Sequence, residues 1–189
     1  MFRQRGAEYF NPDEAATRIH CANPNLSQEQ ANSAAWNEGK RLLGRAIAER
    51  SDFALETTLG GQTIAILLEK ALLSGIEVRI WYVGLESPEL HISRVRARVR
   101  NGGHDIPEAR IRERYTQSRW NLIRLLPGLT EVYVYDNSED ADPLSGHAPN
   151  PKLILHARTG KVVEMCDWKR APNWAKPILM AALHTVQRR

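Results

Sequence analysis

The residues best suited to chemistry are the seven arginines in the stretch RVRARVRNGGHDIPEARIRERY, which runs from Arg94 to Tyr115. They stand on either side of a Gly-Gly-His-Asp-Ile-Pro turn. An arginine carries a permanent positive charge and a planar fork of donors that fits a carboxylate or a phosphate. Such a concentration indicates either a site for a strongly negative ligand or two solvated helix faces.

The helix after the turn places one arginine beside its core. Pro107 is expected to open this helix, which runs to about Leu126. Its inward stripe is expected at Ile111, Tyr115, Ser118 and Leu122. Arg114 stands next to that stripe, at the edge of the predicted core. We expect it to need an anionic partner, because an unpaired buried charge is very costly.

The helix before the turn carries arginines on both sides of its apolar stripe. Pro88 is expected to open it, and it ends near Arg100. Its apolar stripe is expected at Ile92, Val95 and Val99. Arg94 and Arg98 lie on one side of that stripe, and Arg96 and Arg100 lie on the other. Periodicity alone does not decide which pair faces a site.

The arginines of the two helices fall into two groups with different expected roles. One group is expected to solvate helix faces and to pair with Glu108 and Glu113; its members are Arg96, Arg100, Arg110 and Arg119. Arg98 and Arg114 are expected to act on a ligand. The Gly102-Gly103 bend between the helices would then hinge a lid that closes on a phosphoryl group and excludes water.

Acidic and hydroxyl side chains follow the first two predicted strands. Asp13, in YFNPDEAA, could accept a proton from a substrate hydroxyl, or it could belong to an ordinary helix cap. Glu56 ends the second strand and is followed by Thr57 and Thr58. These three could hold a polar acceptor or a magnesium-bound water, or they could form a common strand-to-helix turn.

The elements that must position these residues predict an α/β fold. Apolar strands end at Phe10, Glu56, Leu85 and Asp136, and helical patterns fill the intervals. This alternation predicts a mostly parallel sheet flanked by helices, with its ligand at the carboxyl ends of the strands. After a loop that starts near Asp140, a β-hairpin around Thr159-Gly160 and a helix are expected. The predicted domains are residues 1–138 and 139–189.

The overall composition limits the class of protein to which this chain can belong. The chain has 189 residues, 42% hydrophobic and 25% charged, with a net charge of +4. These values are typical of a globular protein, and no apolar run reaches the roughly 20 residues of a membrane helix. Two distant cysteines form no metal-binding or disulfide pattern, which favours the cytoplasm. The six histidines suggest no metal site.

Four segments, in order, resemble the zeta-toxin-like P-loop kinases and the predicted ATPases of that group. They are YFNPDEAA, FALETTLGG, VRIWYVGLESPELHISRVRARVRNGGHDIPEARIRERYTQSRWNL and VYVYDNS, and they span roughly residues 2–138. The resemblance implies a P-loop NTPase-like fold. It also implies a kinase that uses ATP and Mg²⁺ to phosphorylate a small hydroxyl-bearing acceptor, with an antitoxin protein as a possible partner. Zeta toxins themselves act on a nucleotide-activated amino sugar.

The resemblance also implies roles for individual residues. Asp13 matches the general base. Glu56, Thr57 and Thr58 match the acceptor-binding stretch, and Arg98 and Arg114 match the arginines that contact the transferred phosphate. The segment Asp136, Asn137 and Ser138 matches a stretch near the nucleotide base, and Arg94 is assigned to the same nucleotide site.

One departure from the family is large. The GxxxxGK[ST] loop that cradles the phosphates does not occur in these 189 residues. We therefore expect an N-terminally truncated P-loop core whose phosphotransfer is impaired. The alternative is a non-catalytic remnant or binding protein. A weaker alternative is a nucleic-acid-binding module that uses the arginines with Trp120; against it, Trp120 is expected to be part of the core.

Overall fold

The computed structural model describes residues 8–103, 105–139 and 150–187; His104, the histidine of the arginine-rich turn, lies outside them. The chain forms two compact units, and each is described by itself. The first comprises Met1–Thr58 and Gln62–Ile76, and the second comprises Leu59–Gly61 and Glu77–Arg189.

The first unit contains two strands and three helices. In chain order they are β1 (Glu8–Phe10), α1 (Pro12–Ala22), α2 (Gln28–Glu49), β2 (Phe53–Leu55) and α3 (Gln62–Leu73). The two strands pair in parallel, with Phe10 opposite Leu55. Phe10 packs with the buried Ala15, Ala16, Ala35 and Leu42. The strands and helices α1 and α2 therefore share a small apolar core.

Local signals in the sequence account for the ends of these helices. Ser27 and Gln30 form a capping box at the N-terminus of α2. The same helix ends at Arg50, whose φ of 53° lies in the left-handed region. The Nη2 of Arg50 donates to the carbonyl of Ser74 at 3.0 Å, which ties the end of α2 to the end of α3.

The second unit is built on a four-stranded sheet. Its elements are β3 (Arg79–Gly84), α4 (Pro88–Arg100), α5 (Glu108–Leu125), a 3₁₀ turn (Leu126–Gly128), β4 (Glu131–Asp136), β5 (Lys152–Arg158), β6 (Lys161–Met165) and α6 (Lys176–Gln187). The strand order is β3-β4-β5-β6. The predicted hairpin is confirmed, with its turn at Thr159 and Gly160.

The predicted mostly parallel, P-loop NTPase-like sheet is wrong. Strands β3 and β4 are parallel, but β5 and β6 are antiparallel to their neighbours, so this sheet is mixed. The hairpin extends the sheet through β5, where Leu155 pairs with Val134 of β4. Both side chains are fully buried, so this pairing belongs to the core. The other parallel pair, β1–β2, forms a separate sheet, and no described strand pairs with both β2 and β3.

The two arginine-bearing helices pack on each other as their stripes predict. Ile92 and Val95 of α4 form a buried cluster with Ile111 of α5, and Val99 and Ile106 pack against it. Between the helices, Gly102 has a φ of 85°, a conformation that favours glycine. No helix within the described residues combines the length and apolar character needed to cross a membrane.

Candidate functional site

A first polar cluster lies where β1 and β2 end. Glu56 follows β2 directly, and its two carboxylate oxygens accept from different partners: the Tyr9 hydroxyl donates to Oε1, and Asn11 Nδ2 donates to Oε2 at 2.9 Å. The hydrogen bond to Glu56 raises the pKa of Tyr9, because it stabilises the protonated phenol beside an anion. We call Tyr9, Asn11 and Glu56 the Glu56 cluster; the Glu56 side chain in it remains exposed.

Asp13 is next to this cluster in sequence but does not cap the helix. The N-cap of α1 is Asn11, whose Oδ1 accepts the backbone N–H groups of Asp13 at 2.9 Å and Glu14 at 3.1 Å. Asp13 is exposed in the first turn, and its carboxylate forms no hydrogen bond or ion pair with any described residue. Thr57 and Thr58 are also exposed.

In the second unit, Arg114 packs against the glycine of the TTLGG segment. A Cβ placed on Gly60 would lie 2.7 Å from Arg114 Cγ, so the contact requires glycine. Asn121, which is 1% exposed, fixes the same segment: its Nδ2 donates to the carbonyls of Leu59 at 2.8 Å and Gly61 at 3.2 Å. Helix α5 therefore holds residues 59–61 through two side chains.

The Arg114 guanidinium itself makes no hydrogen bond or ion pair within the described residues. Arg98 is exposed, and its stem lies against Gly103, where a Cβ would meet Arg98 Cγ at 2.6 Å. These are the two arginines that the sequence interpretation assigns to the transferred phosphate.

Two other arginines form ion pairs with glutamates on the neighbouring helix. Arg96 of α4 forms an ion pair with Glu108 of α5, as predicted. Arg112 of α5 bonds Glu89 of α4 at 2.6 Å, and that bond lowers the pKa of Glu89. Arg119 differs from its predicted pairing: it lies 4.2 Å above the ring of Tyr115 and donates Nε to the Tyr115 carbonyl.

A second polar cluster lies where β3 and β4 end. Asp136 Oδ1 accepts from the Ser138 hydroxyl and from Trp174 Nε1, the latter at 3.1 Å. The Trp174 ring packs on Gly84, where a Cβ would lie 2.7 Å from Cζ2. We call Asp136, Ser138 and Trp174 the Asp136 cluster.

Arg94 braces the loop after this cluster. Its Nη1 donates to the carbonyl of Asn137 at 2.7 Å, and its Nη2 donates to that of Glu139 at 2.9 Å. Asn137 also donates its backbone N–H to Gly84, while its Oδ1 is buried without a hydrogen-bond partner among the described atoms. The Arg94 guanidinium is thus committed to the protein backbone.

The predicted site residues therefore fall into two sets. The first unit holds Asp13, Glu56, Thr57 and Thr58; the second holds Arg94, Arg98, Arg114, Asp136, Asn137 and Ser138. Within the sets, the structure joins Arg94 to Asn137 and Asp136 to Ser138.

A protein of Haemophilus influenzae strain Rd, described as an uncharacterized protein, is 32% identical to this chain over 109 residues. The match covers 56% of this chain and 73% of the relative. The chain belongs to the same family as this Haemophilus protein. No family model matches the chain, and no solved structure matches it.

Sequence reasoning missed two residues that hold these segments in place. Asn121 looks like a polar residue of an amphipathic helix, and Trp174 lies in a tail far from the strands. Both act through partners distant in the chain, separated by 62 residues for Asn121 and Leu59 and by 38 for Trp174 and Asp136. The sequence signal that could have located these contacts is glycine: Gly60 and Gly84 lack a side chain where another residue packs against the backbone.

Proposed function

We propose that this chain forms part of an ATP-dependent kinase that transfers a phosphoryl group to a small hydroxyl-bearing acceptor, as its zeta-toxin-like resemblance implies. The observation that carries the proposal is Arg114. Its stem is fixed on Gly60, yet its guanidinium has no carboxylate among the described residues, whereas Arg96 and Arg112 are paired with glutamates. A cation fixed in this way is suited to an anion that comes and goes.

The acceptor is proposed to bind at the Glu56 cluster. Glu56 is exposed, and Tyr9 and Asn11 orient its carboxylate. An oriented carboxylate can accept a hydrogen bond from an acceptor hydroxyl. Thr57 and Thr58 follow it and would add hydroxyl groups to the same stretch.

Asp13 is the proposed general base. Its carboxylate is exposed and has no partner among the described residues, so it is available to take a proton. In the transfer, the acceptor oxygen bonds to the γ-phosphorus, the bond from that phosphorus to the leaving ADP breaks, and the hydroxyl proton passes to Asp13. Arg98 and Arg114 would neutralise the charge on the moving group, which is the main demand of phosphoryl transfer.

The proposed nucleotide site is the loop of Asp136, Asn137 and Ser138, braced by Arg94. This assignment rests on the match of Asp136, Asn137 and Ser138 to the family's stretch near the nucleotide base. No group of three His, Cys, Asp or Glu side chains comes together among the described residues, and Mg²⁺ that accompanies ATP is held largely by the phosphates and water. No step here is therefore assigned to Mg²⁺.

The compartment and partners follow from the same proposal. Cys21 and Cys166 are both free thiols, which supports the cytoplasm. An antitoxin protein is proposed as a partner through the family resemblance alone.

The test measures ADP formation from ATP and Mg²⁺. It uses the 189-residue chain and an extended version in which a GxxxxGK[ST] segment is fused before Met1. We expect the extended version to form ADP, and Arg114→Gln to slow it by about 100-fold or more. Arg112→Gln is the matched control, since it removes an α5 arginine that already has a glutamate, and its rate should stay nearly unchanged. If neither version forms ADP at high protein concentration, the proposal is wrong.

A second candidate is a non-catalytic binding protein. The absence of GxxxxGK[ST] from these 189 residues favours it, because that loop supplies the lysine and amides that hold the phosphates. The ADP assay on the 189-residue chain separates the two candidates. ADP formation that Arg114→Gln abolishes would exclude this second candidate.

A further inference from the structure

Trp120 lies on the surface, which corrects the expectation that it belongs to the core. Its side chain is 61% exposed on α5. Together with Thr116, Arg119 and Ile123 of α5 and Pro177 of α6, it lines a surface depression of about 120 Å³. We call this depression the Trp120 groove.

The groove is lined by three apolar residues and two polar ones, and further apolar side chains are exposed on α6. Thr116, Arg119, Trp120 and Ile123 follow the i, i+3, i+4, i+7 spacing that places residues on one side of a helix. On α6, Met180 lies one turn after Pro177 and is 44% exposed, and Leu183 is 37% exposed. Tryptophan, methionine and arginine are the residue types enriched where proteins bind one another.

Most charged residues next to the groove are basic. Glu113 lies one turn before Thr116 on α5, but neither residues 114–125 of α5 nor α6 contains an aspartate or a glutamate. Arg119 lines the groove, Arg124 lies one turn after Trp120, and Lys176 precedes Pro177. No carboxylate within the described residues forms an ion pair with Arg119. The surface is therefore complementary to an acidic partner.

We propose that the Trp120 groove binds an acidic amphipathic helix of a partner protein. The apolar side of that helix would place a large side chain against Trp120, Ile123 and Pro177, and its glutamates or aspartates would face Arg119, Arg124 and Lys176. This occupant fits because two side-by-side helices form a groove that an amphipathic helix can fill with i, i+3, i+4 and i+7 anchors. A nucleic acid would need a wider basic surface, and the floor of this groove is apolar.

The test uses the 189-residue protein and a fluorescently labelled helical peptide of about five turns. The peptide has leucine and phenylalanine at i, i+3, i+4 and i+7 and glutamate elsewhere. A matched peptide replaces every glutamate with lysine, and a single-stranded oligonucleotide of similar length is the third probe. We expect the acidic peptide to bind in the micromolar range and the lysine peptide at least about tenfold more weakly.

Variants identify the surface. Trp120→Ala should weaken binding of the acidic peptide by about tenfold or more, as expected for a central tryptophan. Trp168→Ala is the matched control, because Trp168 is also exposed, at 39%, but does not line the groove. Arg124→Glu should weaken binding, whereas Arg110→Glu, on the first turn of the same helix, should not. Trp120 is exposed, so its replacement should leave the fold intact, which circular dichroism would verify.

Three results would overturn the proposal. The first is an acidic peptide that does not bind, or that binds the Trp120→Ala variant equally well. The second is tighter binding of the oligonucleotide with the same dependence on Trp120, which would make this a nucleic-acid surface. The third is concentration-dependent self-association that Trp120→Ala abolishes, which would mean that a second copy of the chain covers the groove.

Discussion

The Glu56 cluster and the Asp136 cluster each lie where a pair of parallel strands ends, but they are built differently. In the first, the partners of Glu56 come from β1 and the N-cap of α1, and the carboxylate stays exposed. In the second, Asp136 is held by a tryptophan from the C-terminal tail. The comparison indicates that Glu56 is oriented for contact with solvent or a ligand, whereas Asp136 joins distant parts of its own unit.

The largest expected effect concerns the tryptophan contact of the Asp136 cluster. Gly84→Ala would place a methyl group 2.7 Å from Cζ2 of Trp174, so the ring must move away. We expect the free energy of unfolding to fall by about 3 kcal/mol, as for an overpacked core. Urea unfolding followed by circular dichroism measures it. Gly44→Ala is the control: no atom lies within 4 Å of its added Cβ, and alanine favours the helix. Equal destabilisation by both changes would contradict the packing argument.

The next effect tests the Glu56 cluster. Asn11→Ala removes both the cap of α1 and the amide that donates to Glu56, so we expect a loss of about 1–2 kcal/mol in unfolding free energy. Asn11→Ser separates these roles, because serine can still cap the helix but cannot donate the same amide to Glu56. It should recover most of the lost stability by thermal unfolding. If Asn11→Ser is as unstable as Asn11→Ala, the cap is not the main contribution.

A smaller effect isolates one hydrogen bond of the Asp136 cluster. Ser138→Ala removes the hydroxyl that donates to Asp136. We expect a loss of about 1 kcal/mol in unfolding free energy, the usual net value of one hydrogen bond. Ser138→Thr keeps a hydroxyl and is the control, so it should change the urea midpoint less than Ser138→Ala does. Equal losses for the two variants would mean that this hydrogen bond is not the main contribution of Ser138.

The smallest effect is a pH dependence elsewhere on the second sheet. A hydrogen bond from His156 at 2.9 Å, with another from the Tyr133 hydroxyl, lowers the pKa of Glu131. A glutamate whose folded pKa is depressed stabilises the fold above its unfolded value of about 4.3, and this stability is lost as the pH falls through the folded pKa. The stability difference between the protein and Glu131→Gln should therefore be largest near neutral pH and shrink below about pH 4.3. Unfolding curves across that range measure it, and a constant difference would contradict the assignment.

Much of the local structure was predictable from short stretches of sequence. Strands β1 and β4 end at Phe10 and Asp136 as predicted, and α4 runs from Pro88 to Arg100 as expected. The pairing of Arg96 with Glu108 was also predicted. These features depend on residues that are close in sequence or on adjoining helices. The periodicity of apolar residues and the rules of helix capping are therefore enough to predict them.

The candidate site was predictable only in part. Arg114 was expected at the edge of the core beside Ile111 and Tyr115, and it is half-buried in α5. Its contact with Gly60 was not predicted, because that contact joins segments more than fifty residues apart in the sequence. Arg94 shows the opposite outcome: the sequence assigned it to a nucleotide, and the structure commits its guanidinium to two backbone carbonyls.

The sequence by itself determined the order of strands and helices and the ends of the predicted ones to within about one residue, since backbone propensity, caps and turn residues act over a few positions. The tertiary structure alone decided which strands pair and in which direction. Leu155 is buried against Val134 because β5 runs antiparallel beside β4, and the alternating pattern of either strand fits a parallel or an antiparallel neighbour equally well. The same holds for Trp174 and Asp136, whose contact exists only once the tail has packed on the sheet.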